Sequence, residues 1–293
     1  MVAMPWNGWA VVALAVVLPA GKAAGFTNAV EVVSYNPGAA GGSGLTDPQV
    51  ALGFPERVTG EGVFPGVVSP FNPPFLPSEI VSVGEGGHLT LRLATPATDD
   101  ANHLFGVDLL VFGNAGFVDA DFPNGMTTAP AALFGADGGQ VEVSSDGVSF
   151  SLVAGALADG LFPTLGFLDS GPFDPRPGTI LTDFTRPVNP TLDLASLGNL
   201  TYAELLAAYD GSGGGAPVDI GMVGLDAVSY VRISVPDDGN PAVTAPAIEL
   251  DAIVAVPEPG GLLAAAGVAL ALQTRARRPQ PRRTFKLPRR IRR

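Results

Sequence analysis

The amino-acid sequence predicts an all-β protein, an antiparallel jelly-roll β-sandwich with long Gly/Pro-rich loops and one short helix. From residue 29 onward, apolar side chains recur at every second position, which is the period of a strand with one buried face. The 293 residues include 38 glycines and 28 prolines, which interrupt these segments with turns and loops. Hydrophobic residues make up 46 % of the chain, so the strands have enough apolar side chains to build a core.

The predicted strands are recognised by their alternation of apolar and polar residues. The alternation is clearest in the segments 88–93, 140–145, 230–235 and 248–256. Residues 107–112 are apolar on both faces except at Asp108, which is typical of a central strand. Asp146-Gly147 predicts a hairpin turn between two strands, because this pair tolerates the positive φ angles that such turns need.

One helix is predicted against this background. Thr201 and Glu204 have the spacing of a capping box, and Leu205 and Tyr209 continue one apolar face until a run of glycines ends the helix. No shift in composition marks a second domain, so residues 26–255 are predicted to form one acidic body. Its long Gly/Pro-rich loops are expected at residues 36–78, 114–139 and 154–190.

The N-terminal segment has the pattern of a secretory signal peptide. Residues 9–18 form an apolar run of ten residues, which is too short to span a bilayer and is followed by small residues. We therefore predict a signal peptide over residues 1–25, with cleavage between Ala23 and Phe26.

The C-terminal segment combines two prolines around an acid, an apolar run and an arginine cluster. These are Pro257, Glu258 and Pro259, the run 262–272, and Arg275, Arg277 and Arg278. The prolines end the preceding strand, the apolar run can enter a membrane as a helix, and the arginines favour the cytoplasmic side. In this order, residues 256–278 resemble the PEP-CTERM sorting signal of Gram-negative bacteria.

This resemblance implies how the chain is sorted. An exosortase-type enzyme would recognise the motif and remove the tail, after the hydrophobic sorting helix has entered the inner membrane transiently. Residues 279–293 would form a basic cytoplasmic tail. The implied location is the cell envelope, the cell surface or the extracellular matrix of a Gram-negative-type bacterium.

The body also resembles a recurrent class of bacterial surface proteins that often carry the same signal. Several stretches look like the galactose-binding-like, discoidin-type jelly roll, notably a strand–Asp-Gly–strand hairpin that ends in an aromatic residue. The resemblance implies a jelly-roll sandwich but names no ligand. The matching stretches are VSYNPG (33–38), TDPQVALG (46–53), VGEGGHLTLR (83–92), DLLVFGN (108–114), VEVSSDGVSF (141–150), YDGSGG (209–214), residues 231–233 and ELDAI (249–253).

Charge and composition exclude several classes of function. Between residues 26 and 256 there are five basic residues against 27 acidic ones, so this body repels nucleic acid and is expected to attract divalent cations. The absence of cysteine excludes disulfides, thiolate metal sites and cysteine nucleophiles. The two histidines, His88 and His103, are interpreted as solvated surface residues, and no serine lies in a nucleophile-elbow pattern.

Calcium is the cofactor that the acidic loops suggest, because hard cations take carboxylate, amide and backbone oxygens. The resemblance to carbohydrate-binding jelly rolls implies a calcium site between the first and last strands, where Glu31 and Asp251 are expected. Two further oxygen-rich loops are candidates, one at Asn114, Asp119 and Asp121 and the other at Asp210, Ser212 and Asp219.

The sequence leaves three functions open. The first is a non-catalytic exported surface or matrix protein, and the second is a calcium-assisted glycan-binding module with exopolysaccharide as partner. Both tryptophans lie in the signal peptide, so Tyr35 is the proposed ligand contact of the second. The third is a polysaccharide-active enzyme that uses paired carboxylates.

Overall fold

The computed structural model describes residues 27–237 and 247–258, which belong to one compact unit. Thirteen strands lie in these residues: β1 (Ala29–Asn36), β2 (Val58–Thr59), β3 (Gly66–Val67), β4 (Val81–Val83), β5 (Gly87–Thr98), β6 (Leu109–Gly113), β7 (Gly116–Phe117), β8 (Leu133–Phe134), β9 (Gly138–Ser144), β10 (Ser151–Asp159), β11 (Ala216–Val218), β12 (Ala227–Val235) and β13 (Ile248–Ala255). The α-helix of the described part is α1 (Tyr202–Tyr209), and 3₁₀ turns occur at Gly38–Gly42, Pro48–Ala51, Leu104–Gly106 and Ile220–Val223.

Nine of the strands form two antiparallel sheets. The five-stranded sheet has the order β1-β5-β12-β9-β10, and the four-stranded sheet has the order β11-β6-β13-β4. Two small hairpins, β2-β3 and β7-β8, accompany them. The prediction of an all-β antiparallel sandwich is confirmed, and this arrangement is consistent with a jelly roll.

The main core lies between the two sheets. Leu89 and Leu91 of β5 and Val231 and Ile233 of β12 are fully buried in it, as their alternation predicted. The polar residues of these strands lie on the other face of the five-stranded sheet, which explains why the strand period is so clear in this half of the sandwich.

The four-stranded sheet is covered on both faces. Phe112, Phe184 and Val254 form a separate buried cluster with three other apolar residues, outside the main core. Phe112 and Phe184 meet edge to face, with 5.4 Å between their ring centroids. This cover explains why the predicted strand 107–112 is apolar on both faces except at Asp108. The structure places the strand at β6 (Leu109–Gly113).

The long loops contain more structure than the sequence predicted. Loop residues pack with α1 into a second hydrophobic cluster that includes Phe71, Phe117, Leu165, Leu205 and Tyr209. Strand β10 also continues to Asp159, so it covers the first six residues of the predicted loop 154–190. The hairpins β2-β3 and β7-β8 lie within the other two predicted loops. The loops therefore form a packed cap that has its own core.

Two local predictions are confirmed. The capping box at the start of α1 is present, with Thr201 N–H donating to Glu204 Oε2 at 2.9 Å and Glu204 N–H donating to Thr201 Oγ1. The β9–β10 hairpin turns at Asp146-Gly147, where Gly147 has φ +76° and Asp146 Oδ1 accepts from Val148 N–H at 2.8 Å.

Candidate functional site

A buried histidine–carboxylate pair lies at the end of the sandwich, where a loop joins β5 to β6. His103 Nδ1 is 2.7 Å from Asp108 Oδ1, and both side chains are inaccessible to solvent. Asp108 Oδ2 accepts a second hydrogen bond from Ile220 N–H at 2.9 Å. Burial raises the pKa of Asp108, although these two hydrogen bonds oppose the effect. The interpretation of His103 as a solvated surface residue is therefore wrong.

Two more carboxylates join Asp108 at this position. One oxygen each of Asp99, Asp108 and Asp219 lies within 4.8 Å of the others, and we name these three residues the Asp108 cluster. Asp99 follows the end of β5 and is exposed, whereas Asp219 begins the 3₁₀ turn and accepts from Gly221 N–H at 2.8 Å. The cluster therefore runs from the surface to a buried carboxylate.

The backbone at Gly221 lies directly against two of these carboxylates. A Cβ at this position would be 2.8 Å from Asp99 Oδ2 and 3.0 Å from Asp219 Oδ1. Real Cβ atoms essentially never come as close as 2.8 Å to another heavy atom, so a side chain at position 221 would push the Asp99 carboxylate away from its present place. Carboxylates this close repel each other when they are ionised, and the imidazole of His103 is in direct contact with Asp108.

A pocket of about 330 Å³ lies beside the loop that carries His103. We name it the Phe105 pocket; its lining residues are Phe105, Arg186, Pro187, Asn189, Leu192, Ala208, Tyr209 and Asp210. Phe105 has φ +62°, a conformation that bulky side chains rarely adopt, and its ring is about half exposed. The guanidinium of Arg186 forms an ion pair with Asp210, so the lining combines a charged pair with an aromatic side chain.

The structure gives Glu31 and Asp251 different partners. Glu31 lies on the exposed face of the five-stranded sheet and pairs with Arg92 at 2.6 Å. Asp251 is fully buried within β13 and accepts from Glu56 N–H at 3.0 Å. The strands themselves do meet, through a bridge between Asn28 and Val254, but these two carboxylates are not brought together there.

The second predicted calcium loop is divided between two places. Asp119 closes a tight turn, accepting from the backbone N–H groups of Asp121 at 2.9 Å and Met126 at 2.9 Å. Asn114 instead lies near Glu249, where burial raises the pKa of the Glu249 carboxyl and a hydrogen bond from the Asn114 amide opposes the rise. Asp119 and Asp121 share one turn without Asn114.

The candidate ligands of the third predicted loop also lie in separate places. Asp210 is held by Arg186, and the Ser212 hydroxyl donates to the Arg186 carbonyl. Asp219 lies in the Asp108 cluster with carboxylates that the sequence analysis did not select. Asp219 therefore remains a candidate ligand, but with different neighbours.

Tyr35 is not an open platform for a ligand. Its ring packs against the main core, and its hydroxyl donates to the Ser82 carbonyl at 2.7 Å. Phe105 is the exposed aromatic side chain that lines a pocket.

The sorting signal falls mostly outside the described residues. Pro257 and Glu258 end the described part, and Thr98 Oγ1 donates to Glu258 Oε1 at 2.5 Å. Pro259, Arg275, Arg277 and Arg278, the apolar run 262–272 and the N-terminal segment 1–25 lie outside it. Among the described residues, no helix is long and apolar enough to cross a membrane.

Comparisons with models of known protein families and with curated protein sequences find no match for this chain.

The sequence analysis missed Asp99, Asp108 and His103 as members of one site. One signal was present: Asp108 interrupts an otherwise apolar run, and a buried carboxylate needs a partner. The nearest group able to provide one was His103, five residues earlier in the chain. The approach of Asp99 and Asp219 depends on how β5, β6 and β11 end together, which no local pattern indicates.

Proposed function

We propose that this chain is an exported, non-catalytic cell-surface or extracellular-matrix protein. The single observation that carries this proposal is the sequence Pro257-Glu258-Pro259, followed by an apolar run and an arginine cluster. The signal-peptide pattern at the N-terminus supports the same route. An exosortase-type enzyme and the inner membrane are its proposed transient partners, and the Gram-negative-type envelope or matrix is its proposed destination.

Replacing Pro257, Glu258 and Pro259 by alanine tests the sorting proposal in the native bacterium. Translocation should be unaffected, because it depends on the N-terminal segment, but the protein should stay in the inner membrane with its arginines attached. Cell fractionation and intact-mass measurement report both properties. The matched control replaces Pro279 and Pro281, which follow the arginine cluster, and should behave like the wild type. A triple variant that reaches the surface with the wild-type mass would contradict the proposal.

We also propose that the body binds calcium at the Asp108 cluster. Three carboxylates within 4.8 Å supply the hard oxygen ligands that calcium prefers, and exposed Asp99 gives an ion access from solvent. Calcium would supply positive charge where three like charges converge, and it would tie the ends of β5 and β11 to β6.

Thermal melts in EDTA, calcium and magnesium at equal ionic strength test the calcium proposal. A cation that binds only the folded state adds about 1 kcal/mol when its concentration is about fivefold above Kd. This should raise the Tm by roughly 2–4 °C for a body of this size. Asp219→Asn should remove the part of the calcium effect that comes from this cluster, whereas Glu61→Gln, an exposed acid elsewhere, should keep the full effect. An equal gain from magnesium would indicate charge screening instead.

The Phe105 pocket favours glycan binding as a second candidate function. Its volume lies at the lower end of ligand pockets, and it combines an aromatic face with the donors and acceptors of Arg186, Asp210 and Asn189. A strained backbone at an exposed aromatic residue is typical of a binding position. Phe105→Gly removes the aromatic ring, so it should abolish binding on a glycan array. Because glycine adopts the positive φ without strain, the variant should not have a lower Tm. Phe64→Ala, at another exposed aromatic residue, is the control.

A further inference from the structure

A second carboxylate site lies on the other side of the sandwich, around Asp159. Asp159 is the last residue of β10 and is only 1 % exposed. Its Oδ1 accepts from Ala115 N–H at 3.1 Å, and Glu249 N–H also donates to the carboxylate. Its Oδ2 is buried and has no hydrogen-bond partner among the described residues.

A buried oxygen without a donor is costly for either form of this carboxyl. As a carboxylate, Asp159 would bury a negative charge, with one of its two oxygens unpartnered. As a neutral acid with its proton on Oδ2, it would need an acceptor for that proton. A bound cation would instead stabilise the ionised form and take Oδ2 as a ligand.

Other oxygen ligands surround Asp159. Asn114 Oδ1 is likewise buried without a partner. The carboxylate of Glu249 is partly buried; it accepts from Ser82 Oγ at 2.9 Å and from the Asn114 amide. Asp137 lies near enough to raise the pKa of both Asp159 and Glu249. The ion pairs among the described residues involve Glu31, Asp108 and Asp210. Within that part of the chain, no basic side chain therefore pairs with Asp159 or Glu249.

The backbone at Gly113 lies in close contact with the Asp159 carboxylate. A Cβ on Gly113 would lie 2.5 Å from Asp159 Oδ1, so the carboxylate is packed directly against the end of β6. Asp159 belongs to the five-stranded sheet, whereas Gly113 and Glu249 belong to the four-stranded sheet. The site therefore joins the two layers of the sandwich.

We propose that Asp159, Asn114 and Glu249 form a binding site for a divalent, oxygen-preferring cation of the calcium class, at the seam between the two sheets. Asp159 supplies its free carboxylate oxygen, Asn114 its free amide oxygen, and Glu249 a second carboxylate. The bound cation connects β10 to the ends of β6 and β13. This site is independent of the Asp108 cluster, so either can exist without the other.

Counting bound calcium on the purified protein by equilibrium dialysis tests this site. The wild type should bind two ions, and Asp159→Asn and Asp219→Asn should each bind one. Glu61→Gln is the matched acid-to-amide control and should bind two. Glu249→Gln keeps a hydrogen-bond acceptor for Ser82, so it provides a folded alternative should Asp159→Asn fail to fold. It should weaken binding of one ion at least tenfold.

The outcomes separate the two sites. One ion in the wild type, lost in Asp219→Asn and unchanged in Asp159→Asn and Glu249→Gln, overturns the seam site and leaves the Asp108 cluster. One ion lost only in Asp159→Asn and Glu249→Gln supports the seam site and contradicts calcium at the Asp108 cluster. No bound ion in the wild type overturns both.

Discussion

At the residue scale, the structure buries carboxyl groups in an otherwise apolar sandwich. Asp251 lies within β13 with one backbone donor, and burial raises its pKa well above the usual 3.8, with smaller contributions from Glu56 and Glu79. A raised pKa means that the folded state binds a proton more tightly than the unfolded chain does. The stabilisation is therefore full below about pH 4 and is lost as the pH rises through the raised pKa.

The Asp251→Asn variant tests this linkage. The amide keeps an acceptor for Glu56 N–H and cannot ionise, so the free energy of unfolding should fall less with rising pH than in the wild type. Urea titrations at intervals from pH 4 to pH 9 measure the difference. Exposed Asp226→Asn serves as the comparison, and parallel curves for Asp251→Asn and the wild type would show that Asp251 ionises freely in the folded protein.

The single-residue predictions from sequence were the least complete. The sequence selected Asn114 and Asp219 as candidate oxygen ligands, since residue type and a glycine-rich loop are enough to suggest that. It assigned both to the wrong neighbours, because Asn114 meets Glu249 and Asp219 meets Asp108 only after distant strands have paired. Residue type is a local property, and the composition of a site depends on strand order.

At the element scale, local patterns were sufficient wherever the structure is local. The hairpin at Asp146-Gly147 and the capping box at Thr201 were both predicted, because turn and cap chemistry acts over three or four residues. The second hydrophobic cluster was not predicted. It combines residues as far apart as Phe71 and Tyr209, and apart from α1 its segments have no regular apolar period.

The helix cap gives a quantitative prediction. Thr201→Ala removes the hydroxyl that accepts from Glu204 N–H, so the protein should lose about 1 kcal/mol of stability. Because α1 contributes Leu205 and Tyr209 to the second cluster, the loss should appear in global chemical unfolding. Thr191→Ala, at an exposed loop threonine, is the control. An unchanged denaturant midpoint for Thr201→Ala would mean that the second hydrophobic cluster unfolds separately from the sandwich.

At the scale of the whole molecule, acidic charge dominates the body. Between residues 26 and 256, 27 acidic residues face five basic ones, and two of the arginines already pair with Glu31 and Asp210. Self-repulsion in a compact fold favours bound cations. The charge balance could be predicted from the sequence. The close approach of Asp99, Asp108 and Asp219 could be seen only in the folded structure.

Anomalous X-ray diffraction from crystals grown with calcium tests the central claim most directly, because it locates the ion. We predict an anomalous peak among Asp99, Asp108 and Asp219, with calcium–oxygen distances of about 2.3–2.6 Å. Crystals of Asp219→Asn grown in the same solution should lack that peak. A wild-type map at the same calcium concentration without density for an ion at the Asp108 cluster would contradict the account.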